Sequence, residues 1–129
     1  DQWTGCQSIR TILLTIISIM DNMPLLHEPG FTEKHSDVVK YNKIILFKNF
    51  DFAVNRILTK DSGWSISPFN ELFETEMASE FKKNRADILT ILEGKKDEPN
   101  ENMRTGIYNL NIPIDWKNTY ETFCKLPIV

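Results

Sequence analysis

A mainly α architecture is predicted for this chain of 129 residues by three observations. Residues 9–20 form a strongly apolar stretch with helical spacing. Ser67-Pro68 opens a second run in which apolar residues recur every three or four positions. Strand-like alternation is confined to a short segment around residue 110. Hydrophobic residues at 41% and charged residues at 26% describe a folded globular chain. A chain of this size fits one domain and should bury about two-thirds of its unfolded surface.

The first helix is the most apolar element. At 100° per residue, Ile9, Ile12, Leu13, Leu14, Ile16, Ile17, Ile19 and Met20 fill a broad continuous arc, interrupted by Arg10. Thr11, Thr15 and Ser18 make an uncharged polar strip opposite, with Leu14 on its border. Ser8 is the predicted N-cap, because its hydroxyl can accept from first-turn N–H groups. The end is expected near Asp21-Asn22, with Pro24 beyond it. Burying each large residue of that arc is worth roughly 1.5–3 kcal/mol. The helix therefore needs cover from the later helices, the tail, missing chain or a second chain.

Residues 22–35, with Pro24, Pro29 and Gly30, read as a loop, and Ser36 or Asp37 is placed to cap the next helix. From Val38 to Leu58 the apolar residues do not fall on one stripe. A long helix, kinked or interrupted near Asn49-Phe50-Asp51, is expected. Asp61-Ser62-Gly63 has turn chemistry. Ser67 as N-cap and Pro68 at the first helical position then start a helix bearing Phe69, Leu72, Phe73, Met77, Phe81, Ile88 and Leu92, with Gly94 as its C-cap. Residues 95–106 read as a charged linker. Residues 107–112 alternate as a strand that Pro113 should stop, and Asp115 caps a last helix carrying Trp116, Tyr120 and Phe123. The expected division is 1–94, a linker at 95–106, and a tail at 107–129 folded back over the helices.

Several function classes lose support here. A net charge of −3 argues against nucleic acid as a partner. The apolar run is too short for a membrane span. Cys6 and Cys124 fit free thiols of a reducing compartment, although a disulfide between them is an alternative. His27 and His35 lack the convergent partners a metal needs, and no metal or other cofactor is expected. Glu71, Glu74, Glu76 and Glu80 make one helix acidic without forming a catalytic pair, and the first two favour its dipole. No phosphate loop or nucleophile–base arrangement stands out.

Order and spacing carry a further signal. Trp3-Thr4, then Ser8-Ile9, then Leu13-Leu14-Thr15-Ile16 precede the turn Glu28-Pro29-Gly30-Phe31 and the pair Tyr41-Asn42. Phe69-Asn70-Glu71-Leu72 leads on to Phe81-Lys82-Lys83 and Ile88-Leu89. Residues 3–92 thereby resemble the carboxy-terminal helical half of ubiquitin-conjugating enzymes, closest to the large hybrid conjugating and ligating type. A Trp-Ser-Pro motif is missing, and the span from Phe31 to Tyr41 is shorter than in the hybrid class.

The resemblance implies the helical part of an α+β conjugating fold, intracellular and either cytoplasmic or nuclear. It implies ubiquitin and a ubiquitin-activating enzyme as partners, and the rest of the domain covering the first helix. The thioester cysteine of that family lies upstream of the tryptophan, so no catalytic residue is expected in this chain and it is expected to be a piece of something longer. Thr11, Leu14, Thr15 and Ser18 fall where the family faces donor ubiquitin. The alternative for that strip is packing against a neighbouring helix. Trp3, Glu28, Pro29, Gly30, Phe31, Tyr41 and Asn42 take structural roles. The rival to this whole reading is a non-enzymatic helical interaction module.

Overall fold

The computed structural model of the chain describes residues 8–59 and 69–127. Trp3, Thr4, Cys6, the Asp61-Ser62-Gly63 turn and the Ser67-Pro68 start lie outside the described residues, as do the side chains of Phe69 and Asn70. The architecture is mainly helical with one small antiparallel sheet. Helix α1 spans Ile9–Ser18, a 3₁₀ turn Pro24–His27, α2 Asp37–Lys48, and a π-helical segment Asn49–Arg56. Short α3 (Phe69–Leu72) and long α4 (Glu74–Lys95) follow. Strands β1 (Glu101–Arg104) and β2 (Asn111–Ile114) then flank a 3₁₀ turn at Ile107–Asn109, before α5 (Trp116–Cys124).

The core forms where α5 lies between α4 and the α2–π segment. Asp115 caps α5, accepting from the Asn118 N–H at 2.9 Å, which starts the helix with Trp116 turned inward. Trp116 meets Phe47 edge-on, ring centroids 5.2 Å apart, and Phe50 at 6.1 Å. Phe123, with 0% exposure, meets Phe81 of α4 at 5.7 Å. Such pairs add about 0.5–1.5 kcal/mol each beyond the area they bury. Cations of α4 cover the outer ring faces: Arg85 over Phe123, Lys96 over Tyr120 and Lys95 over Trp116, at 5.6, 5.0 and 5.1 Å. Met103, Ile114 and Leu126 complete the cluster.

Several elements differ from the sequence expectation. Helix α1 stops at Ser18 rather than near Asn22, because the Asp21 carboxylate takes the Met23 N–H at 2.7 Å and turns the chain out of helical geometry. The irregular stripe after Val38 resolves as a change of winding. The π segment buries Phe50 and Asn55, and the Asn55 amide donates to the Thr119 carbonyl at 2.8 Å. The expected single helix over 68–92 breaks at Phe73 (φ −116°, ψ 12°), leaving Leu72 and Phe73 exposed while Phe81 and Leu92 carry the burial. Gly94 is not the cap, since α4 continues through Lys95 to a cap at Lys96.

Within the charged segment 95–106, Glu101–Arg104 is a strand, drawn in by the buried Met103. The strand expected over 107–112 is displaced to Asn111–Ile114 and includes Pro113 opposite Asn102. Proline is tolerated there because a two-stranded ribbon leaves alternate backbone nitrogens facing outward, where no ladder bond is lost.

Among the covers considered for α1, those from the later helices and the tail are not seen among the described residues. None of its residues is buried, with Ile9 76% and Ile17 62% exposed. Helices α2, α4 and α5 pack their buried apolar residues on one another. No helix among the described residues is long and apolar enough to cross a membrane.

This division predicts a contrast in stability. Phe123→Ala should lose about 3–5 kcal/mol in urea unfolding of the 129-residue chain, as for other buried aromatic truncations. Ile17→Ala should stay within about 0.5 kcal/mol of the parent. Equal losses at both positions would show that α1 belongs to the cooperative core.

Candidate functional site

Two neighbouring features carry the residues singled out by the sequence. The first is the strip on α1. Ser8 and Thr11 form a reciprocal capping box, with the Thr11 N–H on the Ser8 hydroxyl at 3.2 Å and the Ser8 N–H on the Thr11 hydroxyl at 2.9 Å. Farther along, the Thr15 hydroxyl donates to the Thr11 carbonyl at 2.9 Å, and the Ser18 hydroxyl to the Thr15 carbonyl at 2.7 Å. Thr11 donates to the Ser8 carbonyl at 2.7 Å. Thr11, Leu14, Thr15 and Ser18 are all exposed, and no described helix packs on them. Every hydroxyl proton of the strip is therefore used inside the helix. The strip presents methyl groups and spent hydroxyls, a surface with little to lose when a partner dehydrates it.

The second feature is the turn after α1. The Phe31 N–H donates to the Glu28 carbonyl at 3.3 Å across Pro29 and Gly30, with Gly30 at φ +88°. Proline at the second position and a left-handed glycine at the third define a type II turn, which explains why this dipeptide occurs here. The Phe31 ring lies 4.6 Å from His35, whose Nδ1 accepts from the Asp37 N–H at 3.2 Å. Asn42 of α2 donates to the Met23 sulfur at 3.1 Å, tying the helix to the segment that leaves α1.

The loop between β1 and β2 closes on this turn. Asp37, buried at the start of α2, accepts from the Ile107 N–H at 3.0 Å and the Gly106 N–H at 2.9 Å. The Ile107 bond, helped by that of Gly106, holds its carboxyl below the usual range against the opposing cost of desolvation. The Tyr108 ring lies 6.1 Å from Tyr41, and the Glu28 carboxylate raises its phenol above the ordinary value. Tyr108 and Asn109 both have left-handed backbones, at φ 56° and 49°. Asparagine adopts that conformation readily. A bulky tyrosine does so at a cost of about 1–3 kcal/mol, so its contacts must hold it.

Glu28, Pro29, Gly30, Phe31, Tyr41 and Asn42 thus share one region, whereas among the described residues the α1 strip bonds within its own helix and cap. Trp3 lies outside the described residues. Glu71, Glu76 and Glu80 stand on the exposed faces of α3 and α4. His27 pairs with Asp21 at 3.0 Å, and no group of His, Cys, Asp or Glu able to hold a metal ion occurs among the described residues. Cys124 is an exposed free thiol. Sequence reasoning missed Asp37 as an anchor and Tyr108 as a contact. The available signal was Gly106 and Asn109 bracketing a segment that was read as continuous strand.

No protein-family model matches the chain. Neither a curated protein nor a solved structure matches it.

The Asp37 anchor gives a pH prediction. Its carboxyl has a lowered pKa in the fold, so it adds stability above the ordinary value of 3.8, and that contribution disappears as pH falls through the lower folded value. Asp37→Asn should melt below the parent near neutral pH, with the gap closing as pH drops under about 3.8. Melting curves across that range test this, and a gap constant with pH would discount the anchor.

Proposed function

We propose that this chain is the carboxy-terminal helical part of a ubiquitin-conjugating enzyme of the large hybrid type. Ubiquitin would be carried as a thioester on a cysteine upstream of this segment and passed to a substrate lysine, after loading by a ubiquitin-activating enzyme. The observation that carries the reading is the open helix α1, apolar around most of its circumference and with no buried residue among the described ones. A helix of this composition belongs inside a larger body. Upstream strands of a conjugating domain would cover its apolar arc and leave the strip of Thr11, Leu14, Thr15 and Ser18 for donor ubiquitin.

The motifs support the same reading. The apolar helix is followed by a Pro-Gly type II turn, then a helix bearing Tyr41-Asn42, then the long helix α4 bearing Ile88-Leu89, in the order the resemblance requires. The chemistry assigned to this segment is positional. A surface that holds the thioester-linked ubiquitin in one pose lowers the entropic part of the barrier to lysine attack. Acid–base work is not assigned to any residue here.

The open helix supports a second reading as well. A non-enzymatic interaction module would present the same apolar face to a partner, since exposed patches beyond a few hundred Å² mark such sites. Loading the full-length protein with ubiquitin and activating enzyme separates the two: a thiol-sensitive adduct supports the conjugating enzyme, and its absence supports the module. Within the first reading, Thr15→Arg should slow transfer to lysine at least about tenfold, a loss of roughly 1.4 kcal/mol in transition-state stabilisation. Thioester formation should be unaffected. Undiminished transfer by that variant would remove the strip from the donor interface.

A further inference from the structure

The π-helical segment is wound so that residues five apart meet. The Ile57 N–H reaches the carbonyl of Phe52, five residues back. On either side the spacing is four, from Asn49 to Ile45 and from Thr59 to Asn55. One residue is thus taken up inside the helix without a loop. The side chains repeat the spacing. Phe50 lies 6.1 Å from Trp116, and Asn55 donates to the Thr119 carbonyl at 2.8 Å, so positions five apart meet α5 together. On the outer side Arg56 lies 3.7 Å from the Asp51 carboxylate. In uniform α winding, residues five apart would point about 140° away from each other.

Asn55 is 2% exposed, and its Oδ1 has no hydrogen-bond partner among the described residues. A half-satisfied buried amide costs stability, so its use lies in the geometry its donor imposes. The sequence also offers the other winding. Phe47, Phe50, Val54 and Leu58 recur at spacings of three, four and four, a narrow apolar α stripe with Phe52 and Ile57 off it. In the π form Val54 and Leu58 are only half-buried against the core. The α form would bring Val54 in beneath Phe50 and swing Asn55 about 100° away from Thr119.

We infer that residues 49–57 are a two-position winding element, and that the Asn55–Thr119 bond is the latch that selects the π form. Opening the latch turns Arg56, Ile57 and the chain leaving them about the helix axis, while Phe50 stays on Trp116. The latch operates independently of ubiquitin transfer.

The test uses variants of the whole chain and couplings across hydrogen bonds, from amide nitrogen to carbonyl carbon. In the parent, Ile57 should couple to Phe52, and a parent without that coupling overturns the inference. Asn55→Leu keeps the volume and removes the donor. In it the Phe52 coupling should vanish, one from Ile57 to Ala53 should appear, and the Asp51–Arg56 contact should be lost. If Asn55→Leu folds with Ile57 still on Phe52, whatever its melting temperature, the amide only adds stability and the latch is wrong. Should that variant not fold, deletion of Ala53 decides. The deletion brings Phe50 and Asn55 four apart, so the chain should fold with four-residue spacing throughout and Asn55 still on Thr119. A deletion variant that keeps a five-residue bond, or that does not fold, overturns the inference.

Discussion

The seating of α5 is the constraint on which the rest of the described structure depends. Trp116 and Phe123 lie on one side of this short helix and are claimed from opposite directions, the indole by Phe47 and Phe50 and the phenyl ring by Phe81. Helices α2 and α4 are thus joined largely through α5. The hairpin is drawn in by the same cluster, because Met103 and Ile114 belong to it. Arg85 and Lys95 of α4 and Lys96 at its cap then lie over the rings of Phe123, Trp116 and Tyr120. The tail, the part of the chain beyond any family resemblance, is in this sense the keystone of the fold.

How far the fold could be read from the chain depended on whether local chemistry and tertiary demand agreed. They agreed at Ser8, Asp115 and the Pro29-Gly30 turn, where a side chain or a left-handed backbone decides the geometry within a few residues. They disagreed where packing overrode pattern. Residues 107–112 alternate like a strand, yet Asp37, distant in sequence, takes the N–H groups of Gly106 and Ile107 at the start of that segment, which turns instead. The break at Phe73 has no proline or glycine to announce it, and the residues on either side of it are exposed. The winding change after Lys48 was visible only as an apolar pattern that fits no single stripe.

The candidate site was legible to a similar degree. The strip on α1 follows directly from helical periodicity, and its self-bonded hydroxyls are the behaviour expected of Thr and Ser within a helix. The partner of Tyr41 was not legible, because Tyr108 meets it from the far end of the chain. A helix whose hydroxyls are satisfied and whose other side chains are largely aliphatic gives water few points of attachment. Its neighbour, the turn at Glu28–Phe31, is closed by the Phe31 N–H on the Glu28 carbonyl.

Pro113 has one last consequence. The hairpin has two free margins, and an open margin is normally a template on which a foreign strand can polymerise. An imino acid in the middle of β2 removes a donor from one of them, so any growth by strand addition there would meet a missing rung. Accretion is left to the β1 side alone, where Glu101 and Arg104 place charge at both ends of a four-residue strand. So small a ribbon is poorly suited to seeding fibrils.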